Sequence, residues 1–186
     1  MKKSLIMFDC FGVVSCSVLT AWFKKTFNDE QGKELSNYYC GRGDKGELTL
    51  SEIATAVSPL CGIEPTALVK FWIDSSFVSE DIKEYIKQLK KNHEVVLASN
   101  ACEGLVEGVL KKNNIENLFD KIFISYKMKD TKPNLSFYLK ILNSYNCSFE
   151  KTYMIDDRLN NLKDIETLGI TPIHFTSLEE LKKILK

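Results

Sequence analysis

The stretch SLIMFDCFGVV, Ser4–Val14, constrains this chain more than any other. Four apolar residues, Leu5-Ile6-Met7-Phe8, lead directly to Asp9, and Gly12 permits a turn immediately afterwards. A short apolar run closed by a turn signal reads as a fully buried strand, of the kind found in parallel sheets covered on both faces. An ionised carboxylate at the tip of such a strand is costly unless something pairs with it. The rest of the chain must bring partners to Asp9, and three later stretches offer them: Ser99-Asn100, Lys132 and Asp156-Asp157.

The organisation of the chain agrees with that demand. From Ser79 onward, apolar runs at Glu94–Ser99, Lys121–Ser125, Thr152–Asp156 and Thr171–Phe175 alternate with amphipathic segments. The first of these segments carries Ile82, Tyr85, Ile86 and Leu89 behind a capping Ser79. The others are Glu103–Asn113, Asn134–Tyr145 after Pro133, Asn160–Leu168 stopped by Gly169, and Ser177–Leu185. Pro172 assigns the last strand to a sheet edge. Between Cys16 and Val78 the alternation lapses, and helices are expected over Ser17–Asn28, Glu30–Tyr39, Leu50–Leu60 and Pro65–Ser75. A glycine-broken loop, GRGDKGELT, separates the second from the third, and Thr49 with Glu52 marks a capped helix start. The expected fold is α/β, a doubly wound (Rossmann-like) parallel sheet of about five strands with a small all-helical insertion after the first strand. Residues 1–15 and 79–186 form the core and residues 16–78 the insertion.

Composition removes several function classes. With 25 basic and 25 acidic residues the formal charge is zero, which gives no footprint for nucleic acid or an anionic membrane. No apolar run approaches the roughly 20 residues of a membrane span. The N-terminal apolar run is short and ends in Asp9, so it reads as a strand rather than a secretory signal. Six cysteines with no CxxC pair read as reduced thiols, and a cytoplasmic monomer or dimer is expected.

Ligands of open parallel sheets bind beyond the carboxyl ends of the strands. Asp9, Ser99-Asn100 and Asp156-Asp157 each fall where an apolar run ends, and so at that edge. Each has a plain structural reading alongside: Ser99-Asn100 and Asp156-Asp157 as helix caps, Lys132-Pro133 as an ordinary turn. Their joint placement at one edge is what favours chemistry. Three clustered carboxylates repel one another and call for a cation, and all-oxygen ligation suits magnesium. Lys132 adds a second positive charge, and Ser99 with the helix start behind it offers donors to an anion. A nucleophilic carboxylate in such company suits phosphoryl transfer through an aspartyl phosphate.

These segments resemble the motifs of the haloacid dehalogenase-like hydrolases: FDCFGVV the first, VVLASN the second, Lys132-Pro133 the third and MIDDRLNNLKDIETLGI the fourth. The resemblance covers essentially the whole chain, and Cys16–Val78 falls where that family inserts a helical cap. The small phosphatases acting on sugar phosphates such as α-glucose 1-phosphate are the most similar branch, through GELTLSEI and the ending after the fourth motif. The order of motifs separates the chain from two-component receiver domains. The resemblance implies Asp9 as nucleophile, Ser99 with the Asn100 backbone as phosphate holder, and Lys132 as the charge that neutralises the transferring group and orients Asp9. It implies Mg2+ held by Asp9, Asp157, the Phe11 carbonyl and, directly or through water, Asp156, with Asn161 behind them. The implied partner is a small phosphorylated metabolite.

One position departs from that pattern. The family's phosphatases carry a second aspartate two residues after the nucleophile as acid and then base, and this chain has Phe11 there. General acid–base help is worth roughly 10²–10⁴ in rate. Three readings follow: a phosphatase whose leaving groups need little protonation, such as a sugar 1-phosphate; a hydrolytic 2-haloacid dehalogenase, against which Asp156-Asp157 stands; and a catalytically weakened protein that binds a phosphorylated ligand or a protein. Arg42, between Gly41 and Gly43, is a candidate for reaching the substrate or else a solvated loop cation. Arg158 reads as a surface charge, and His93 and His174 have no evident partner.

Overall fold

The computed structural model describes residues 3–185. Its strands β1 (Leu5–Phe8), β2 (Glu94–Ser99), β3 (Lys121–Ile124), β4 (Thr152–Asp156) and β5 (Ile170–His174) form one parallel sheet in the order β3-β2-β1-β4-β5. The first strand of the sequence is therefore the central one, with Phe8 opposite Leu97 on one side and Ile155 on the other. That register delivers the residues after β1, β2 and β4 to a single sheet edge. β5 pairs with β4 alone, so Pro172 sits where its missing N–H is tolerated.

The continuous apolar run of β1 is explained by its two covered faces. Ile6 and Phe8 pack with Val95, Leu97 and the inward residues of α5 (Glu80–Lys90) and α6 (Leu105–Asn113). Leu5 and Met7 point the other way, against Val96, Met154 and Phe137, Tyr138 and Ile141. α7 (Ser125–Met128) follows β3 directly, α8 (Leu135–Asn143) carries those last three residues, and α9 (Leu178–Ile184) closes the chain. Ser79 and Ser177 cap α5 and α9 through the N–H groups of Ile82 and Glu180.

Between β1 and α5 lie four more helices. α1 spans Val18–Thr26, α2 Asp29–Asp44, α3 Leu50–Cys61 and α4 Pro65–Asp74. Thr49 and Glu52 form the expected capping box at α3. Trp22, Phe23, Ile53, Val57, Leu68 and Trp72 build an apolar cluster that also takes in Cys102, Leu105 and Val109. The helical segment thus shares its core with α6 rather than standing apart from the sheet unit. No helix among the described residues is long and apolar enough to cross a membrane.

Three local expectations are corrected. α2 continues through Gly41–Asp44, where a glycine-broken loop is expected from Gly41 onward. Gly43 is there for packing: a Cβ on it would lie 2.7 Å from the Cys102 Cβ. Asn160–Leu168 forms two 3-10 turns, Leu159–Leu162 and Ile165–Leu168, in place of one helix. The chain breaks between them at Asp164, whose φ is +62°. β3 ends at Ile124 because Ser125 begins α7, where its Oγ bonds the main chain of Ala101.

Candidate active site

Asp9 follows β1 directly, and its N–H donates to the Ile155 carbonyl at 2.9 Å. It is only 6% exposed. Asp156, the last residue of β4, is wholly buried. Lys132 enters between them from the loop before α8, and its Nζ lies 2.8 Å from Asp9 Oδ1 and 2.6 Å from Asp156 Oδ2. One ammonium thus bridges two buried carboxylates delivered by the adjacent strands β1 and β4.

Asn100 fixes the lysine by its main chain. Its Nδ2 donates to the Lys132 carbonyl and its Oδ1 accepts from the Lys132 N–H, both at 2.9 Å. The loop after β2 is in this way clipped to the lysine loop. Asp156 is saturated: Oδ1 accepts from the Arg158 N–H at 2.9 Å, and Asn161 Nδ2 lies 3.0 Å from both its oxygens. Asn161 is positioned in turn by the Tyr138 hydroxyl, which donates to its carbonyl. That contact explains why the segment after β4 turns tightly instead of entering a regular helix.

Asp157 is different. Its Oδ1 is buried and has no hydrogen-bond partner. A Cβ on Gly12 would lie 2.3 Å from its Oδ2, so glycine, with φ +93°, is what lets the turn after β1 close over this carboxylate. Oxygens of Asp9, Asp156 and Asp157 all come within 4.8 Å of one another.

Electrostatics make the cluster incomplete without a cation. Burial, reinforced by the Asp156 charge and opposed by Lys132, pushes the Asp9 carboxyl up to about 6. Burial and then Asp156 also raise Asp157. Burial works to strip the proton from Lys132, but Asp9 and Asp156 outweigh it and hold its pKa above the ordinary lysine value. One ammonium cannot balance three converging carboxylates. An unpartnered buried oxygen in an all-carboxylate group is the donor set a hard divalent ion takes.

Of the residues singled out in the sequence, Asp9, Asn100, Lys132, Asp156, Asp157 and Asn161 are brought together. Phe11 is partly buried, packs against two of the apolar clusters and lines the cavity above Asp9. Ser99 is fully buried at the end of β2, its Oγ directed at the Asn100 carbonyl at 3.4 Å, and Asn100 and Ala101 form the cavity wall there. The expected anion cradle at a helix start is not formed by α6, which begins only at Leu105. The Ala101 N–H goes to Ser125 Oγ and the Gly104 N–H to Glu107 Oε2. Arg42 stays outside the cavity, paired at 3.0 Å with Glu47 and with the Tyr38 hydroxyl.

Asp44 and Arg158 were not expected and both line the cavity. Asp44 ends α2, and burial pushes its carboxyl up to about 6 against the pull of Arg158. Ser17 and Thr20 of the helical segment line the same space. The signal that could have found Asp44 is an acidic residue at a helix C-terminus, where the dipole disfavours it.

Comparison with known proteins agrees with this geometry. The sequence model described as "Haloacid dehalogenase-like hydrolase" matches residues 71–174. Drimenol cyclase drtB of Aspergillus calidoustus is 26% identical over 161 residues, 83% of this chain. Pyrimidine 5'-nucleotidase PynA of Streptococcus pneumoniae is 26% identical over 123 residues, 54% of this chain. The chain spans 30% of the length of the first and 52% of the second. Among solved structures, the HAD family enzyme bt-2542 of Bacteroides thetaiotaomicron superposes with a TM-score of 0.81 at 20% identity, over the full length of both chains. A second structure of bt-2542 is a complex with magnesium and inorganic phosphate.

Proposed function

The chain belongs to the haloacid dehalogenase-like hydrolases, and on that premise we propose that it is a magnesium-dependent phosphomonoester hydrolase working through an aspartyl phosphate. The observation that carries the reading is the Lys132 ammonium bridging Asp9 and Asp156 beside an Asp157 oxygen with no partner. Asp9, Asp157 and the Phe11 carbonyl are the groups that would hold the ion directly, with the saturated Asp156 doing so through water; when bound, the ion supplies charge neutralisation to the phosphoryl oxygens.

In this reading Asp9 attacks phosphorus while Lys132 keeps its carboxylate charged and oriented. The Asn100 main chain receives the phosphoryl oxygens, joined by the Ser99 hydroxyl once it turns from the Asn100 carbonyl behind the cavity wall. Asn100 has a further job, holding the Lys132 main chain in place through its amide. Asn161 fixes Asp156 and thereby the lysine. Residues 16–78 act as a cap that closes over the substrate and excludes water, with Ser17, Thr20 and Asp44 facing it.

The substrate class is a small phosphorylated metabolite, with a sugar 1-phosphate first. Phe11 has no proton to give from the turn after β1, and an anomeric oxygen, leaving with less protonation than an ordinary alkoxide, depends least on a donor from elsewhere. A dehalogenase has no use for the acidic pair, since without a cation those charges only oppose Asp9. The protein is taken to act in the cytoplasm, as a monomer or dimer, without nucleic acid or membrane partners.

The test is phosphate release from p-nitrophenyl phosphate, hexose 1-phosphates and hexose 6-phosphates, with and without magnesium. Release that requires magnesium and disappears in Asp9→Asn is the expected outcome. Absence of release while magnesium still binds would sink the phosphatase reading in favour of a phospholigand-binding role.

A further inference from the structure

Resting on that reading, we propose that Asp44 is the proton donor and acceptor that Phe11 cannot be, supplied from the helical segment instead of from the turn after β1. Asp44 and Asp9 line one cavity, Asp9 from the sheet edge and Asp44 from the end of α2. Its delivery is a built feature. Gly43 packs so closely on Cys102 that any side chain at 43 would force α2 away from the loop after β2. The turn after α2, closed by the Gly46 N–H on the Gly43 carbonyl and the Glu47 N–H on the Arg42 carbonyl, fixes where the helix stops.

Asp44 is also uncommitted. Among the described residues it forms no hydrogen bond through its side chain and no ion pair within 4 Å, whereas Arg42 two residues earlier is paired with Glu47. The groups that face it are Arg158 from the loop after β4, Asp9 and Lys132 from the site below, and Cys40 on its own helix. Cys102 lines the same cavity, and Lys24 and Lys33 line a neighbouring one that shares Thr20, Cys40, Asp44 and Arg158 with it. Burial and the negative end of α2 favour its protonated form, Arg158 its charged one. A carboxyl so balanced can hold a proton near neutral pH and release it within a turnover.

The chemistry closes. As the Asp9 oxygen bonds to phosphorus, the bond from phosphorus to the leaving oxygen breaks and its electron pair stays on that oxygen. The Asp44 carboxyl proton transfers to it, so an alcohol departs and Asp44 is left as carboxylate. Water then attacks the aspartyl phosphate, Asp44 takes a proton from that water, and Asp9 leaves phosphorus as carboxylate. Both residues end as they began.

The experiment compares kcat/KM for Asp44→Asn and wild type across esters of graded leaving-group acidity, from p-nitrophenyl phosphate to a hexose 6-phosphate. kcat/KM reports the first transfer alone. The 6-phosphate should lose roughly 10²–10⁴-fold, and the aryl ester far less, because nitrophenolate leaves without a proton. With the aryl ester a burst of nitrophenolate should precede a slowed steady state, as water attack loses its base. Equal losses across the series, or a change confined to KM, would overturn the assignment while leaving the phosphatase reading intact. If the wild-type chain releases phosphate from no ester, both fall together.

Discussion

Replacing Lys132 with methionine tests the buried charge cluster as a piece of physics, independently of any substrate. The lysine side chain is wholly inaccessible and lies 2.8 and 2.6 Å from two carboxylates that are themselves 8% and 0% exposed. Methionine is one atom shorter but close in volume, so the packing change is small and the lost ammonium dominates. Removing one partner of a buried ion pair strands an uncompensated charge at a cost of about 3–5 kcal/mol. For a chain of this length each kcal/mol moves the melting temperature by about 2–4 °C. Lys132→Met should therefore melt about 6–20 °C below wild type by circular dichroism, in EDTA so that no bound cation compensates. Asp156→Asn in the same chain removes one of the stranded charges, and the double variant should be at least about 1 kcal/mol more stable than the sum of the single effects predicts. A loss below about 1 kcal/mol for Lys132→Met, or strict additivity in the double variant, would refute the account of the cluster as an obligate ion triad.

Gly12→Ala should place a methyl on the Asp157 carboxylate at a backbone φ of +93°. Magnesium affinity by calorimetry should fall at least about tenfold, and unchanged affinity would mean Asp157 is not a ligand. Asn100→Ala removes two 2.9 Å bonds to the Lys132 main chain and should cost about 1–3 kcal/mol in urea unfolding, with phosphate release falling alongside. Asp44 gives a pH signature in stability. Its folded-state pKa, raised to about 6 from 3.8, means its contribution is fully present below pH 3.8 and is lost as pH rises through 6. Asp44→Asn escapes that loss, so it should be more stable than wild type at pH 7.5, by at most about 3 kcal/mol, and nearly equal to it at pH 4. The reverse order would mean Asp44 is held charged.

Much of this was legible in the sequence because the sheet is built from locally autonomous signals. β2 and β4 occupy Glu94–Ser99 and Thr152–Asp156 as read, since each is an apolar run bounded by polar residues. The carboxyl edge followed from the ends of those runs, and with it Asp9, Lys132 and the acidic pair. The misreadings share a different cause. Gly41 and Gly43 read as helix breakers, yet α2 runs through both, and Gly43 answers to Cys102, distant in sequence. Asn160–Leu168 has helical periodicity, but Asn161 is held at Asp156 and Tyr138, and Asp164 turns left-handed. Asp44 and Arg158 reach the cavity only because α2 packs over the sheet edge, a tertiary contact of which the acidic residue ending α2 is the one local trace. Arg42, beside Asp44, carried the more visible signal and lies outside.

The central claim, phosphoryl transfer to Asp9, is most directly tested by trapping the intermediate. The protein would be mixed with magnesium and p-nitrophenyl phosphate, quenched in acid within the first turnover, digested, and its peptides mapped by mass spectrometry. The account predicts a phosphoryl group on the peptide containing Asp9, at Asp9 itself, and none in Asp9→Asn. Phosphate release with no modified Asp9 peptide, or with undiminished rate in Asp9→Asn, would contradict it.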